Sequence, residues 1–301
     1  MKMLKMQIAR IKKLFLLSVL FLAALSLGAQ SDTMRSWEHG GNAHMMISQA
    51  AYSNWVAGGQ NTVAVNFGTR LFLNYKGDKS NWANEFNLAY GKIKVGSEVR
   101  KSDDEIIFNT LYSKRLSEKT GLAVNGNFRT QFDRGFELPG DSILISEFMA
   151  PAFTLFSLGI DHKANDFFHV FISPLTMKWT HVGNIEKINP ESYGLSPGSK
   201  NRYELGAYLR LNFDKDLFEN VYLSSSLELF SNYLNRPQNI DVNSLSKLNL
   251  KINKYITTVF TFQLIYDYDI LISKTDDQGN STLTRGVQLR EIWNIGLSYD
   301  F

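Results

Sequence analysis

The chain has 301 residues, 44% of them hydrophobic, with a net charge of +3 and no cysteine, and its mean hydropathy is −0.19. This polarity excludes a protein built of transmembrane helices, and the small charge of mixed sign argues against nucleic acid as a partner. The absence of cysteine excludes disulfides, thiolate metal sites and a lipid-anchored N-terminal cysteine. No composition shift divides the chain, so we expect one domain.

Residues 1–29 have the composition of a secretory signal peptide. Basic residues come first, followed by an apolar run over 14–27 and then by the small residues Gly28 and Ala29. The run is shorter than the roughly 18 to 20 apolar residues that a spanning helix needs. We therefore predict cleavage near Ala29 and a short periplasmic segment over 30–43.

From residue 44 onward, apolar and polar residues alternate over stretches of ten or more residues, longer than an ordinary strand of about 5 to 6. In the last stretch Trp293, Ile295, Leu297, Tyr299 and Phe301 share one face, opposite polar residues. The alternation predicts about twelve strands. They lie near residues 44–53, 61–76, 81–95, 102–116, 119–133, 150–163, 166–181, 200–214, 220–234, 240–254, 256–273 and 285–301.

The connections between these strands alternate in length. GDKSN, LSEKT, HKAND, FDKDLFEN and NKY are short, whereas 134–149, 182–199 and 274–284 are long. Outer-membrane barrels have short periplasmic turns and long external loops, and both termini then fall on the periplasmic side. We predict an all-β fold, a transmembrane antiparallel up-and-down β-barrel over 44–301. A β-sandwich or a lipocalin-like barrel would bury the apolar face instead, usually with shorter strands.

Several segments resemble a family of uncharacterised outer-membrane proteins of the Bacteroidota, catalogued as domain of unknown function thirty seventy-eight. They are SNWVAGGQNTVAVN (53–66), NFRTQF (127–132), MAPAF (149–153), ISPLTMK (172–178), LFSNYLNRPQNIDVN (229–243), INKYI (252–256) and QLIYDYDI (263–270). The resemblance implies the outer membrane of a Gram-negative bacterium. It also implies that the barrel-assembly machinery reads the last strand, with Trp293, Leu297, Tyr299 and Phe301 as the signal. It implies no biochemical activity.

The predicted inner face carries charges of both signs, and these are the candidate functional residues. They are Arg70, Glu85, Arg129, Lys178, Glu204, Arg210, Glu228, Asp241, Lys247, Asp267, Asp269 and Arg290. They could set up a transverse field across a pore, as porin constrictions do. Alternatively, they pair across a narrow barrel and fill it.

Other candidate sites are weaker. Of the 5 histidines, only His181 lies at the depth that a catalytic triad of a membrane-barrel lipase needs, and no serine stands at a matching spacing. Asp276, Gln278 and Asn280 in the loop 274–284 faintly resemble a calcium loop but lack the later bidentate Glu. The segment SNWVAGGQN from Ser53 is expected to form an external hairpin or a bulged turn, in which the glycines supply positive φ angles. We expect no enzyme activity, no metal and no cofactor.

The preferred function is an outer-membrane channel or passive transporter for small polar solutes. The alternatives are a non-conducting structural or accessory subunit of an outer-membrane complex and, third, a lipid-active enzyme. The expected contacts are outer-membrane lipid and lipopolysaccharide, the assembly machinery during insertion, and other outer-membrane proteins.

Overall fold

The computed structural model describes residues 36–51, 61–137, 143–275 and 281–301, and the regular secondary structure in these ranges is almost entirely β-strand. The strands are β1 (Ser36–Ala50), β2 (Thr62–Lys76), β3 (Ser80–Val95), β4 (Glu98–Arg115), β5 (Thr120–Thr130), β6 (Gly135–Phe136), β7 (Leu144–Ser146), β8 (Ala152–Lys163), β9 (Phe168–His181), β10 (Asn201–Phe218), β11 (Val221–Asn232), β12 (Ile240–Lys251), β13 (Ile256–Tyr266), β14 (Ile272–Thr275), β15 (Ser281–Thr284) and β16 (Gln288–Asp300). A 3-10 helix spans Pro190–Tyr193. No helix among the described residues is long and apolar enough to cross a membrane.

Twelve of these strands form one closed antiparallel barrel in the order β1-β16-β13-β12-β11-β10-β9-β8-β5-β4-β3-β2. The pairs β6/β7 and β14/β15 are separate two-stranded hairpins within the loops. The barrel closes where β1 pairs with β16, with Met46 opposite Gly296. Backbone hydrogen bonds between Gly41 and Phe301, at 2.8 and 2.9 Å, extend this seam to the last residue.

The predicted barrel of about twelve strands is confirmed, but some strand limits differ. The first strand begins at Ser36, so residues 36–43, predicted as a periplasmic segment, belong to β1. Gly40 and Gly41 interrupt the alternation in the sequence, yet in β1 they lie where a Cβ would come within 3 Å of Phe72 or Phe301. The stretch FDKDLFEN was predicted as a turn, whereas β10 continues to Phe218. The predicted signal peptide lies outside the described residues.

The two faces of the barrel wall differ in chemistry. Residues directly opposite each other on neighbouring strands point to the same face, so the register assigns every strand residue to one face. The outward face carries large apolar side chains that are more than half exposed, including Phe67, Ile172, Leu289 and Trp293. Such a surface needs hydrocarbon around it, because in water it would be a contiguous apolar patch over the whole barrel. The inward face is predominantly polar.

The barrel seam depends on a residue without a side chain at position 296. A Cβ there would lie 2.0 Å from the carbonyl oxygen of Met45 and 2.7 Å from Met46 Cα. We expect Gly296→Ala to lower the free energy of unfolding by about 1 to 3 kcal/mol, because backbone has to shift to admit the methyl group. Chemical unfolding of the refolded barrel measures this.

Gly126→Ala is the matched control, because its Cβ would meet a side-chain methyl, Thr110 Cγ2, at 3.0 Å. We expect a change below about 1 kcal/mol there, since alanine is otherwise favoured over glycine within a strand. Equal losses for the two variants would contradict the role assigned to the seam.

Candidate functional site in the barrel interior

The register places ten of the twelve candidate charges on the inward face of the barrel strands. Lys178 pairs with Glu204, Arg210 pairs with Glu228, and Gln263 pairs with Arg290. Asp267 and Asp269 lie beyond the end of β13, in the long loop that leads to β16. Both still form ion pairs with cations of the inward face, Asp267 with Lys178 and Asp269 with Arg202.

Lys178 is the centre of a buried ion-pair network near the long loops. Its ammonium group lies 2.7 Å from Asp241, 2.9 Å from Asp267 and 3.7 Å from Glu204. The Lys178 side chain is 13% exposed and that of Glu204 is 1% exposed. Because β10 and β11 separate β9 from β12, the contact with Asp241 crosses part of the lumen.

Arg202 extends this network, although the sequence-based set of candidates missed it. Its guanidinium group donates to Glu204 at 2.6 Å and to Asp269, and Asn232 also donates to Glu204, at 3.2 Å. The network therefore has two cations and four carboxylates. Arg202 stands two residues before Glu204 on the same face, so the alternation alone could have identified it.

A second ion pair crosses the lumen on another side of the barrel. Arg290 of β16 lies 3.3 Å from Asp103 and 3.0 Å from Glu105 of β4. Three strands, β1, β2 and β3, separate β16 from β4 in the barrel order. The side chains therefore meet across the interior. Asp103 and Glu105 were also absent from the predicted set, because their stretch, KSDDEII, does not alternate cleanly.

The interior is packed on one half. Ala123, Phe171, Tyr208 and Phe230 form a buried apolar cluster, and Leu111 and Leu155 pack against it. These residues lie on β4, β5, β8, β9, β10 and β11, which are consecutive in the barrel order. Side chains rather than water fill this part of the lumen.

The other half of the interior is reached by water. The side chains of Arg70, Glu85 and Arg290 are 58%, 30% and 34% exposed, and Lys247 is exposed as well. Arg70 and Glu85 pair at 2.5 Å along the wall. The lumen is therefore divided into a packed side and a polar, water-accessible side that Arg290 crosses.

Two of the long loops pack together at the end of the barrel away from the chain termini. Ala150 from one loop and Val182, Ile188 and Leu195 from the other form a small apolar core. The Tyr193 hydroxyl donates to the Ile145 carbonyl at 2.7 Å, and burial raises the pKa of Tyr193 to about 12. The two loops are therefore packed against each other through a shared apolar core and a hydrogen bond.

Asp133 fixes the start of the loop that joins β5 to β8. It accepts hydrogen bonds from the Tyr90 hydroxyl at 2.6 Å and from Lys92 at 3.0 Å. These bonds, together with the backbone N–H of Arg134, lower the pKa of Asp133 to about 2. The carboxylate therefore stays charged at any pH that the cell meets.

The remaining candidates lie apart from the lumen charges. His181 contacts Asn201 at 2.8 Å, while its chain neighbour Thr180 is buried on the inward face. Asp276, Gln278 and Asn280, whose spacing resembles a calcium-binding loop, lie outside the described residues. Residues 53–60 of the SNWVAGGQN segment lie outside them as well. Where the structure describes the chain, no cluster of His, Cys, Asp and Glu could hold a metal ion.

The predicted assembly signal lies on the lipid-facing side of the closing strand. Trp293, Leu297, Tyr299 and Phe301 are each more than half exposed. Phe301 follows the end of β16 and stays in register through Gly41. The structure places these side chains on the outward face, and recognition by the assembly machinery stays a prediction.

A closed twelve-strand antiparallel barrel with an apolar outer face and charges inside is a transmembrane β-barrel. Residues 47–136 match the model of a family described as "Protein of unknown function (DUF3078)". This match confirms, over that segment, the family resemblance read from the sequence. No curated protein matches the chain.

Solved structures that resemble the chain are membrane barrels of low sequence identity. The translocator domain of the autotransporter NalP from Neisseria meningitidis is 10% identical with a TM-score of 0.39, over 97% of this chain and 96% of that one. OmpT of Vibrio cholerae is 8% identical with a TM-score of 0.32, over 89% and 100%. A TodX monoaromatic hydrocarbon channel mutant is 9% identical with a TM-score of 0.32, over 90% and 91%. None of these carries a function over to this chain.

Removing Lys178 should destabilise the barrel strongly. Lys178→Met leaves Glu204, Asp241 and Asp267 close together without their shared cation. We expect a loss of about 3 to 5 kcal/mol in the free energy of unfolding, the usual result of breaking a buried ion pair. Chemical unfolding of the refolded barrel measures it.

Lys251→Met is the control, because Lys251 and Asp300 form an exposed pair at 3.2 Å with side chains 58% and 65% exposed. Exposed pairs contribute about 0 to 1 kcal/mol. A loss for Lys178→Met no larger than that for Lys251→Met would show that the network is not buried as described.

Proposed function

We propose that the protein is a narrow channel for small polar solutes in the outer membrane of a Gram-negative bacterium. The observation that carries the proposal is the polar, water-accessible half of the lumen, crossed by Arg290 with Asp103 and Glu105. Opposed charges at a narrow point are the means by which pores select and orient solutes. In this proposal the Arg290 contact is the constriction.

The proposed partners of the protein would contact its lipid-facing residues and its closing strand. The exposed apolar face would meet outer-membrane lipid and lipopolysaccharide, and the strand ending at Phe301 would be read by the assembly machinery during insertion. The proposal includes no catalytic step, metal or cofactor.

A second candidate is a non-conducting barrel that acts as a structural or accessory subunit. The packed cluster around Phe171 and Tyr208 favours it, because that half of the lumen offers no passage. The apolar core shared by two external loops favours it too, since loops that pack together can cover a barrel mouth. Current through the purified barrel separates the two candidates.

The constriction is tested by replacing Arg290 in the refolded barrel and recording single-channel currents in a planar bilayer. The wild type should pass a small current. Arg290→Ala should raise the conductance, because the side chain no longer spans the lumen. It should also move the reversal potential towards cation selectivity, because Asp103 and Glu105 lose their counter-charge.

Arg134→Ala is the matched control, because Arg134 lies in an external loop and its only described ion pair is with Glu147, at 3.4 Å. We expect this variant to conduct like the wild type. Absence of current at every voltage, in both the wild type and Arg290→Ala, would reject the channel in favour of the non-conducting barrel.

A further inference from the structure

The lipid-facing side of the described barrel strands carries two carboxylates, Asp104 and Glu291, and only one of them has partners. Asp104 on β4 pairs with Lys101 at 2.8 Å. It also accepts hydrogen bonds from the backbone N–H groups of Phe132 and Asp133. Glu291 on β16 is exposed, and no hydrogen bond or ion pair reaches it from the residues that the structure describes.

Glu291 lies within the apolar band of the barrel wall. Its outward neighbours along β16 are Leu289 and Trp293, which are 63% and 70% exposed, and Phe262 lies directly opposite it on β13. Between Tyr299, near the periplasmic end of β16, and Glu291 the strand rises by about 20 Å, at about 3.3 Å per residue and a tilt of about 40°. The apolar band of membrane barrels is about 25 Å tall. Lipid chains would therefore surround this carboxylate in an isolated barrel.

A carboxylate in hydrocarbon is costly, because no water is available there to hydrate it. Ionisable groups at membrane depth are rare, and as a rule they are paired or functional. The outward residues around Glu291 are apolar and offer it no hydrogen bond. Donors from another copy of a membrane barrel would satisfy it.

The wall on the other side of β13 carries hydroxyl groups on the same outward face. Ser246 on β12 lies directly opposite Phe262. Ser225 on β11 lies directly opposite Ser246, with the two hydroxyl oxygens 2.8 Å apart. Ser244 is the next outward residue on β12, and its hydroxyl has no hydrogen bond among the described residues. A carboxylate that lacks donors and hydroxyls that can donate thus lie on opposite sides of Phe262.

We propose that two copies of this barrel associate in the membrane through the outward faces of β12, β13 and β16. In this dimer Glu291 of each copy accepts hydrogen bonds from the outward serines of the other. Copies inserted in the same orientation can be related only by a two-fold axis along the membrane normal. An axis near Phe262 exchanges the two sides of β13, and so brings each carboxylate to the serine face of the other copy. The small serine side chains let the two walls approach closely.

The dimer goes beyond the proposed channel, since it does not depend on whether the lumen conducts. Cysteine cross-linking of the refolded barrel in liposomes tests it, because the chain has no cysteine of its own. Phe262→Cys lies near the proposed axis, so a short bis-maleimide reagent should join two copies of this variant.

Phe156→Cys is the matched control. Phe156 is also lipid-facing and 52% exposed, but it lies on β8, with β9, β10, β11 and β12 between it and β13. This variant should stay monomeric. Absence of a cross-linked dimer for Phe262→Cys, as expected if a lipid headgroup or another protein partners Glu291, would overturn the proposal. Equal cross-linking of both variants at the same protein-to-lipid ratio would overturn it too.

The role of Glu291 is tested by adding Glu291→Leu to the Phe262→Cys barrel. The protein-to-lipid ratio at which half of the barrels cross-link should rise about tenfold, because the two-fold axis doubles the loss of each hydrogen bond. Glu291→Gln keeps an oxygen acceptor and should fall between the two. The heat-dependent shift of barrels in gel electrophoresis verifies that each variant is folded.

Glu118→Leu, in the same Phe262→Cys barrel, is the control for the loss of a glutamate. Glu118 is also exposed and unpaired within the described part of the chain, but it lies in the periplasmic turn after β4. We expect it to leave cross-linking unchanged. Cross-linking that is equally strong with and without Glu291→Leu, or equally weakened by Glu118→Leu, would reject the assigned interface.

Discussion

The rest of the structure depends on one constraint, the pairing of every backbone N–H and C=O group in a wall that faces hydrocarbon. No water is available there to replace a missing partner, so a sheet edge cannot persist. The chain meets this requirement by pairing β1 with β16 and by extending the seam to Phe301 through Gly41. Closure fixes the register, and the register decides which side chains face inward.

Once the wall is closed, the inward charges need partners inside a confined space. Lys178 and Arg202 are paired with Glu204, with Asp241 of β12, and with Asp267 and Asp269 of the loop after β13. Arg290 obtains its partners from the far wall. A buried ion pair is costly to desolvate and costly to break. The buried Lys178 network therefore holds its strands and its loop in one arrangement, while the Arg290 contact lies in the water-accessible half of the interior.

The alternating pattern of the sequence was sufficient to predict the strands of the barrel wall, but not the side-chain contacts inside the barrel. Alternation with a period of two is a local property, and it located all twelve barrel strands and the inward face of residues such as Arg129 and Glu228. Partners across the lumen, such as Arg290 with Glu105, are 185 residues apart in the chain, so no local pattern encodes them. The apolar cluster was missed for a related reason, since Phe171, Tyr208 and Phe230 stand on the inward face, where the pattern leads one to expect polar residues.

The division of the lumen is the central claim, and thiol accessibility tests it most directly because the chain has no cysteine of its own. Single cysteines at Lys247, Ser157 and Leu289 would be exposed, in liposomes, to a thiol reagent that cannot cross membranes. Lys247→Cys should react, because it faces lumen water. Ser157→Cys, in the packed half, and Leu289→Cys, facing lipid, should not. Fast reaction at Ser157→Cys, or reaction at Leu289→Cys but not at Lys247→Cys, would contradict the account.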